Sequence, residues 1–120
     1  MNVSLHVRQE KGVSIVDVSG RITLGEGAST LREGLRAMAK EGHKDILINL
    51  RDVSYIDSSG LGTLVSSFAT LTNSGARVKL LNLSGRVKDL LLITKLHTVF
   101  EVFEDEAAAV ASFPPVAAEA

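Results

Sequence analysis

One stretch of this 120-residue chain gathers residue types that could do chemistry: Tyr55-Ile56-Asp57-Ser58-Ser59-Gly60-Leu61-Gly62. A carboxylate precedes two hydroxyls and two closely spaced glycines. Hydrolysis by a G-x-S-x-G nucleophile needs a glycine two residues before the serine, and Ile56 stands there for Ser58. Dinucleotide binding would continue Gly60-Leu61-Gly62 to a third glycine at position 65, which is Val65, and no phosphate-binding lysine follows. The plainest role left is a helix start, with Asp57 or Ser58 accepting backbone N–H bonds as an N-cap. Gly60 and Gly62 keep the first turn bare, so another molecule can approach the backbone. The position also suits a phosphoacceptor. A phosphate on Ser58 adds about −1.5 to −2 charges at neutral pH, which the free N–H groups of a helix N-terminus tolerate. The fold would survive, while a partner laying an acidic or apolar surface over this helix end would be repelled.

The rest of the chain offers little chemistry. It has no Cys, which removes disulfides, thiol catalysis, iron–sulfur clusters and most structural zinc sites. His6, His43 and His97 lack ligand spacing, so no metal and no cofactor is expected. Thirteen basic against fourteen acidic residues give a net charge of −1. That leaves no broad basic face for nucleic acid and no polybasic membrane anchor. Four Phe, one Tyr and no Trp provide few stacking platforms for bases. No apolar run approaches the ~20 residues of a membrane helix. Met1 to Glu10 lacks the basic start and long apolar core of a secretory signal. The expectation is a cytoplasmic protein without membrane insertion. Glu101, Glu104, Asp105 and Glu106 form an acidic cluster, read as a solvated helix start rather than a docking patch. Leu90 to Ile93 is apolar on more than one helical face, which suggests core with a Leu to spare for a partner.

The elements that position the Asp57 segment follow from periodicity. Val3, Leu5 and Val7 alternate as a half-buried strand, Glu10-Lys11-Gly12 turns, and Val13 to Val18 completes a hairpin. Gly20 to Gly27 reads as a loop. Ala28, Leu31, Leu35 and Met38 lie on one helical face that ends at Gly42. Ile46 to Leu50 is a central strand, and Val53 to Ile56 leads to the junction. Leu61, Leu64, Val65, Phe68 and Leu71 follow helical spacing up to Asn73-Ser74-Gly75. Val78 to Leu83 is a strand, and Ser84 caps a helix carrying Val87, Leu90, Leu91 and Thr94. Val99 to Val102 makes a short edge strand before a final Ala-rich helix, which Pro114-Pro115 stops. Two strand–helix–strand units imply right-handed parallel crossovers. The fold class is α/β: a small mixed sheet with an antiparallel edge hairpin strand and about four helices. One domain is expected over 1–113, with a flexible tail over 114–120. Partners of an open α/β sheet usually engage the C-terminal ends of its strands, where Asp57 and Ser58 fall.

From Asn49 to Gly62 the sequence resembles the STAS domain family, specifically the bacterial anti-sigma factor antagonists. The hallmark is an apolar strand, a short polar turn, then Asp-Ser-[Ser/Thr]-Gly-Leu-Gly, here Asp57 to Gly62. Val87, Leu90, Leu91, Thr94 and Leu96 resemble the family's third helix, and Phe100, Phe103, Ala107 and Ala108 its closing strand and helix. The likeness extends to Phe113. It implies a partner-switching module and not an enzyme. The unphosphorylated protein would bind an anti-sigma factor that is also a Ser/Thr kinase, and so free the sigma factor. The kinase, with its own ATP and Mg²⁺, would phosphorylate Ser58, and a metal-dependent Ser/Thr phosphatase would reset the cycle. Asp57 would position the hydroxyl or the helix turn. Ser59 would share the partner-binding surface, with Gly60, Leu61 and Gly62 as its flat part.

Two positions depart from the family pattern. The loop often reads Gly-x-Leu-Asp, and here it is Gly20-Arg21-Ile22-Thr23. Arg21 and Thr23 therefore join the candidate partner-binding residues, with Thr23 altering partner choice or weakening binding. Lys95 stands where a Gly often precedes the Leu ending the third helix, which should change how that helix stops. Two rival functions remain: a STAS subunit of a phospholipid-transport ABC complex or other partner-switching regulator, or a small nucleotide-binding or hydrolytic enzyme. The second is disfavoured because no base sits near Ser58 in sequence and no phosphate loop is complete.

Overall fold

The computed structural model describes residues 3–114. The hairpin forms first along the chain, from β1 (Ser4–Glu10) and β2 (Val13–Ile22), paired antiparallel. Its two-residue turn has φ of 51° at Lys11 and 85° at Gly12, the doubly positive geometry that matches strand twist. The chain continues as α1 (Glu26–Lys40), β3 (Asp45–Ile56), α2 (Ser58–Asn73), β4 (Arg77–Leu81) and α3 (Gly85–Ile93). A 3-10 turn (Leu96–Thr98), β5 (Val102–Phe103) and α4 (Glu106–Ala111) complete it.

The five strands stand in the order β1-β2-β3-β4-β5, with β2 to β5 mutually parallel. The mixed sheet with one antiparallel edge strand is therefore as expected. Strand periodicity sorts the core into two layers. Val16, Val18, Ile46, Ile48 and Leu80 meet Leu31, Leu35 and Met38 of α1 and Leu61, Leu64 and Leu71 of α2. Their neighbours Val13, Ile15, Leu47 and Leu81 point the other way, onto Ala109 of α4 and Phe113. Ile22 and Ile56 are far apart in sequence, yet the parallel pairing of β2 with β3 sets them side by side. The loops after β2, β3 and β4 thus share one sheet edge.

Several boundaries differ from the sequence reading. β2 runs through Gly20 to Ile22 instead of yielding to a loop. Gly20 has a φ of 103°, and the pairing register slips on both sides of it. The glycine makes an irregularity inside a strand, not its end. β4 stops at Leu81 rather than Leu83, because Asn82 turns to a φ of 54°. The closing strand is Val102–Phe103 instead of Val99 to Val102, since Val99 belongs to the end of the 3-10 turn. The acidic cluster is not simply solvated. Asp105 caps α4 by accepting from the Ala108 N–H at 2.9 Å, and Glu106 pairs with Arg8 at 2.7 Å. Arg8 also holds Asp17 at 2.7 Å, so one guanidinium ties α4 to the hairpin. It is held above its ordinary pKa by Glu106 and then Asp17, and it holds both carboxyls below theirs. The stop assigned to Pro115 and most of the expected 114–120 tail lie outside the described residues.

Candidate functional site

Asp57 follows the last residue of β3 and caps α2. Its Oδ1 accepts the Gly60 N–H at 2.7 Å, and its Oδ2 accepts the Leu24 N–H at 3.0 Å. Its own N–H donates to the Ile22 carbonyl at 3.3 Å. One residue thereby fastens the β3–α2 junction to the loop after β2. The two backbone N–H groups, Gly60 first and then Leu24, hold the carboxyl below its ordinary pKa. Both oxygens are engaged in holding backbone, so Asp57 positions the helix turn and not the Ser58 hydroxyl.

Ser58 is the first residue of α2 and is exposed. Among the described residues its hydroxyl has no hydrogen-bond partner. Ser59 is half-buried. The next two residues correct the sequence reading, which put them on a flat contact surface. Gly60 is buried, and a Cβ there would lie 2.0 Å from the Ile22 carbonyl oxygen. Its bareness serves a close approach between α2 and the end of β2, not access by another molecule. Leu61 is 5% exposed and belongs to the core. Gly62 alone of the three is on the surface, and a Cβ there would meet nothing within 4 Å.

Arg21 and Thr23 come to the same edge. Arg21 pairs with Tyr55 across β2 and β3, and its guanidinium sits 4.6 Å from the centre of the Tyr55 ring. Thr23 is half-buried, and its carbonyl accepts the Ala28 N–H at 2.9 Å, at the start of α1. The sequence reading missed the neighbours that come from further away. Arg86, in the first turn of α3, also stacks on Tyr55, again at 4.6 Å. Tyr55, Asp57, Ser58, Arg86, Asp89 and Ile93 line a shallow cleft of about 250 Å³. Leu24 and Ile93 are each 78% exposed, so two large apolar side chains stand beside the exposed serine. No local motif marks Arg86 or Ile93. The signal available was topological: successive parallel crossovers bring the starts of α2 and α3 to one edge.

Among the described residues no histidine lines the cleft beside Ser58. His43 is bonded to Ser14 at 2.6 Å and Glu41 at 3.1 Å, His6 lies in β1 and His97 in the 3-10 turn. No group of three His, Cys, Asp or Glu among the described residues could hold a metal ion. What the geometry provides is a capped helix start, an accessible hydroxyl and a rim that mixes apolar side chains with Arg21, Arg86, Asp57 and Asp89.

The two-layer fold, its parallel crossovers and the Asp-Ser-Ser-Gly-Leu-Gly junction are those of a STAS-type domain, and the family model for the STAS domain matches residues 4–109. The chain belongs to that family. A curated relative, the anti-sigma-B factor antagonist of Bacillus subtilis (strain 168), is 38% identical over 102 residues, covering 85% of this chain and 92% of its own length. Among solved structures, an anti-sigma factor antagonist from Mycobacterium paratuberculosis superposes with a TM-score of 0.80 at 22% identity, covering 92% of each chain. The Bacillus cell fate determinant SpoIIAA, solved in its phosphorylated form, superposes with a TM-score of 0.68 at 18% identity, covering 92% of this chain and 100% of its own. Among the described residues no helix is long and apolar enough to cross a membrane.

Proposed function

We propose that this protein is an anti-sigma factor antagonist whose binding surface is the edge around Ser58, and that phosphorylation of Ser58 switches it off. The observation that carries the reading is an exposed serine hydroxyl without a protein partner among the described residues, at a helix start held by Asp57. The relatives' names supply the target class, an anti-sigma factor. In its unphosphorylated state the protein captures that factor, and the sigma factor is released. The anti-sigma factor is also the Ser/Thr kinase, and a metal-dependent Ser/Thr phosphatase restores the free hydroxyl. That SpoIIAA, of the same fold, has been solved in a phosphorylated form supports the tolerance of the fold for such a group.

The mechanism follows from charge and position. Leu24, whose N–H is held by Asp57, and Ile93, which lines the cleft with Ser58, offer exposed apolar anchors. Ser58, Ser59 and Gly62 let the partner's surface come close to the first turn of α2. A phosphate at Ser58 adds about two negative charges at the middle of that contact. Burying it against an apolar or acidic surface is strongly unfavourable, so the complex dissociates. The helix start itself tolerates the charge, because Asp57 already fixes the turn and the N-terminal N–H groups favour an anion.

The test is incubation with the cognate anti-sigma kinase and Mg-ATP, followed by mass spectrometry. One phosphate on Ser58 in the native protein, and none on Ser58→Ala, is the expected outcome. Phosphate on another residue would refute the assignment.

A further inference from the structure

We propose that Arg86 is a built-in receptor for the phosphate of phosphorylated Ser58, and that it leaves the Tyr55 ring to bind it. The proposal rests on Ser58 being the phosphoacceptor and says how the modified site is read within the chain itself.

Arg21 and Arg86 both place their guanidinium carbons 4.6 Å from the centre of the Tyr55 ring. Both residues are exposed. Three of the other five arginines pair with carboxylates, Arg8 with Asp17 and Glu106, Arg77 with Asp45 and, loosely at 3.8 Å, Arg51 with Asp52, while Arg32 and Arg36 lie away from this edge on α1. Arg21 and Arg86 have no ion pair and no side-chain hydrogen bond among the described residues. Asp89 lines the same cleft as Arg86 without being paired to it. A guanidinium carries five N–H donors in a planar fork. A ring face satisfies none of them, so each side chain is parked against Tyr55 with its donors in water.

The cleft distinguishes the two arginines. Arg86 lines it together with Ser58, and Arg21 does not. A phosphate esterified to the Ser58 oxygen would therefore enter a space that Arg86 already borders. Phosphate offers three acceptor oxygens, which a guanidinium engages with two parallel hydrogen bonds. That pair is stronger than an exposed cation–π contact, so the side chain moves from ring to phosphate. Asp57 and Asp89 also face the cleft and would repel the phosphate, which makes the countercharge of Arg86 more important. Phosphorylation then alters the partner-facing rim twice. It adds an anion at Ser58, and it withdraws a basic group from solvent.

The chain carries its own reporter, because Tyr55 is its one tyrosine and there is no tryptophan. Phosphoserine should be installed at position 58 during synthesis, so that the measurement does not depend on any kinase. The second ionisation of the phosphate, ordinarily near pH 6, is then followed by phosphorus NMR. Removing a nearby countercharge raises this pKa, and Arg86→Gln is expected to raise it by about half a unit or more relative to the phosphorylated parent. Arg21→Gln is expected to raise it by less than half as much. Tyr55 emission should differ between the phosphorylated and unphosphorylated parent, and not between the two forms of Arg86→Gln. An unchanged phosphate pKa in Arg86→Gln, an equal rise in Arg21→Gln, or unchanged Tyr55 emission in the parent overturns the proposal. Failure of a kinase to modify Ser58 would instead overturn the switching function and leave this titration readable.

Discussion

At the scale of single residues, Asp57 and the two nearby glycines have separable roles. Asp57→Ala removes the cap of α2 and the tether to Leu24, and it should destabilise the fold by about 1 to 2 kcal/mol at neutral pH. The pH dependence follows from the carboxyl's depressed pKa in the folded state. Stability from such a group is present above the unfolded value of 3.8 and is lost as pH falls through the lower folded value. The gap between parent and Asp57→Ala should therefore narrow in denaturant titrations below about pH 4. Gly60 and Gly62 should respond oppositely to alanine. Gly60→Ala forces a methyl group onto the Ile22 carbonyl and should cost about 3 kcal/mol. Gly62→Ala meets open space inside a helix and should stabilise by up to about 1 kcal/mol. If Gly62 lies under the bound partner, the same variant gains thermal stability and loses affinity. The two glycines look alike in sequence; one is fixed by an internal approach of backbone, which spacing along the chain does not reveal.

At the scale of elements, the helices and central strands were legible because their apolar periods are clean and their ends carry Gly or Asn. Within β3 the two-residue period of a strand sends Ile46, Ile48 and Leu50 to one core layer and Leu47 to the other, a division that the nearly all-apolar run does not itself display. The misread boundaries share a cause. Gly20, Asn82 and Lys95 adopt positive φ values that re-aim the chain, and only pairing across the sheet decides whether a strand continues. Lys95 has a φ of 62° at the end of α3, which a residue with a Cβ adopts at a cost. Lys95→Gly should raise stability by about 0.5 to 1 kcal/mol in chemical denaturation, the gain being limited by the greater entropy of glycine in the unfolded chain. The docking of α4 depends on Arg8, a long-range contact invisible to local pattern. Arg8→Gln should loosen α4 by about 1 kcal/mol, seen as faster amide exchange at Ala109 and Val110. Partner binding at Ser58 should be unaffected, because α4 covers the opposite face of the sheet from α2.

At the scale of the whole molecule, the family and the Asp57–Gly62 junction were readable from residue types and spacing, and the wider rim was not. Ser58 and Asp57 are neighbours in sequence, whereas Arg86 and Ile93 reach the site only through the crossover from β4 to α3. The near-neutral charge of −1 has a consequence for the switch. On the proposed switch, one phosphate would change the total by more than the total itself, at an edge where Arg21 and Arg86 stand close to Asp57 and Asp89. The domain is otherwise built to ignore that charge, since the cap, the glycine approach and the two core layers do not involve the hydroxyl. The most direct measurement is titration of the cognate anti-sigma kinase by calorimetry with two forms of this protein, unmodified and phosphorylated at Ser58, with circular dichroism recorded on both. Superimposable spectra and binding weakened by at least about 100-fold on phosphorylation are the expected result. Equal affinity of the two forms, or loss of affinity accompanied by unfolding, would contradict a switch that acts at the interface and spares the fold.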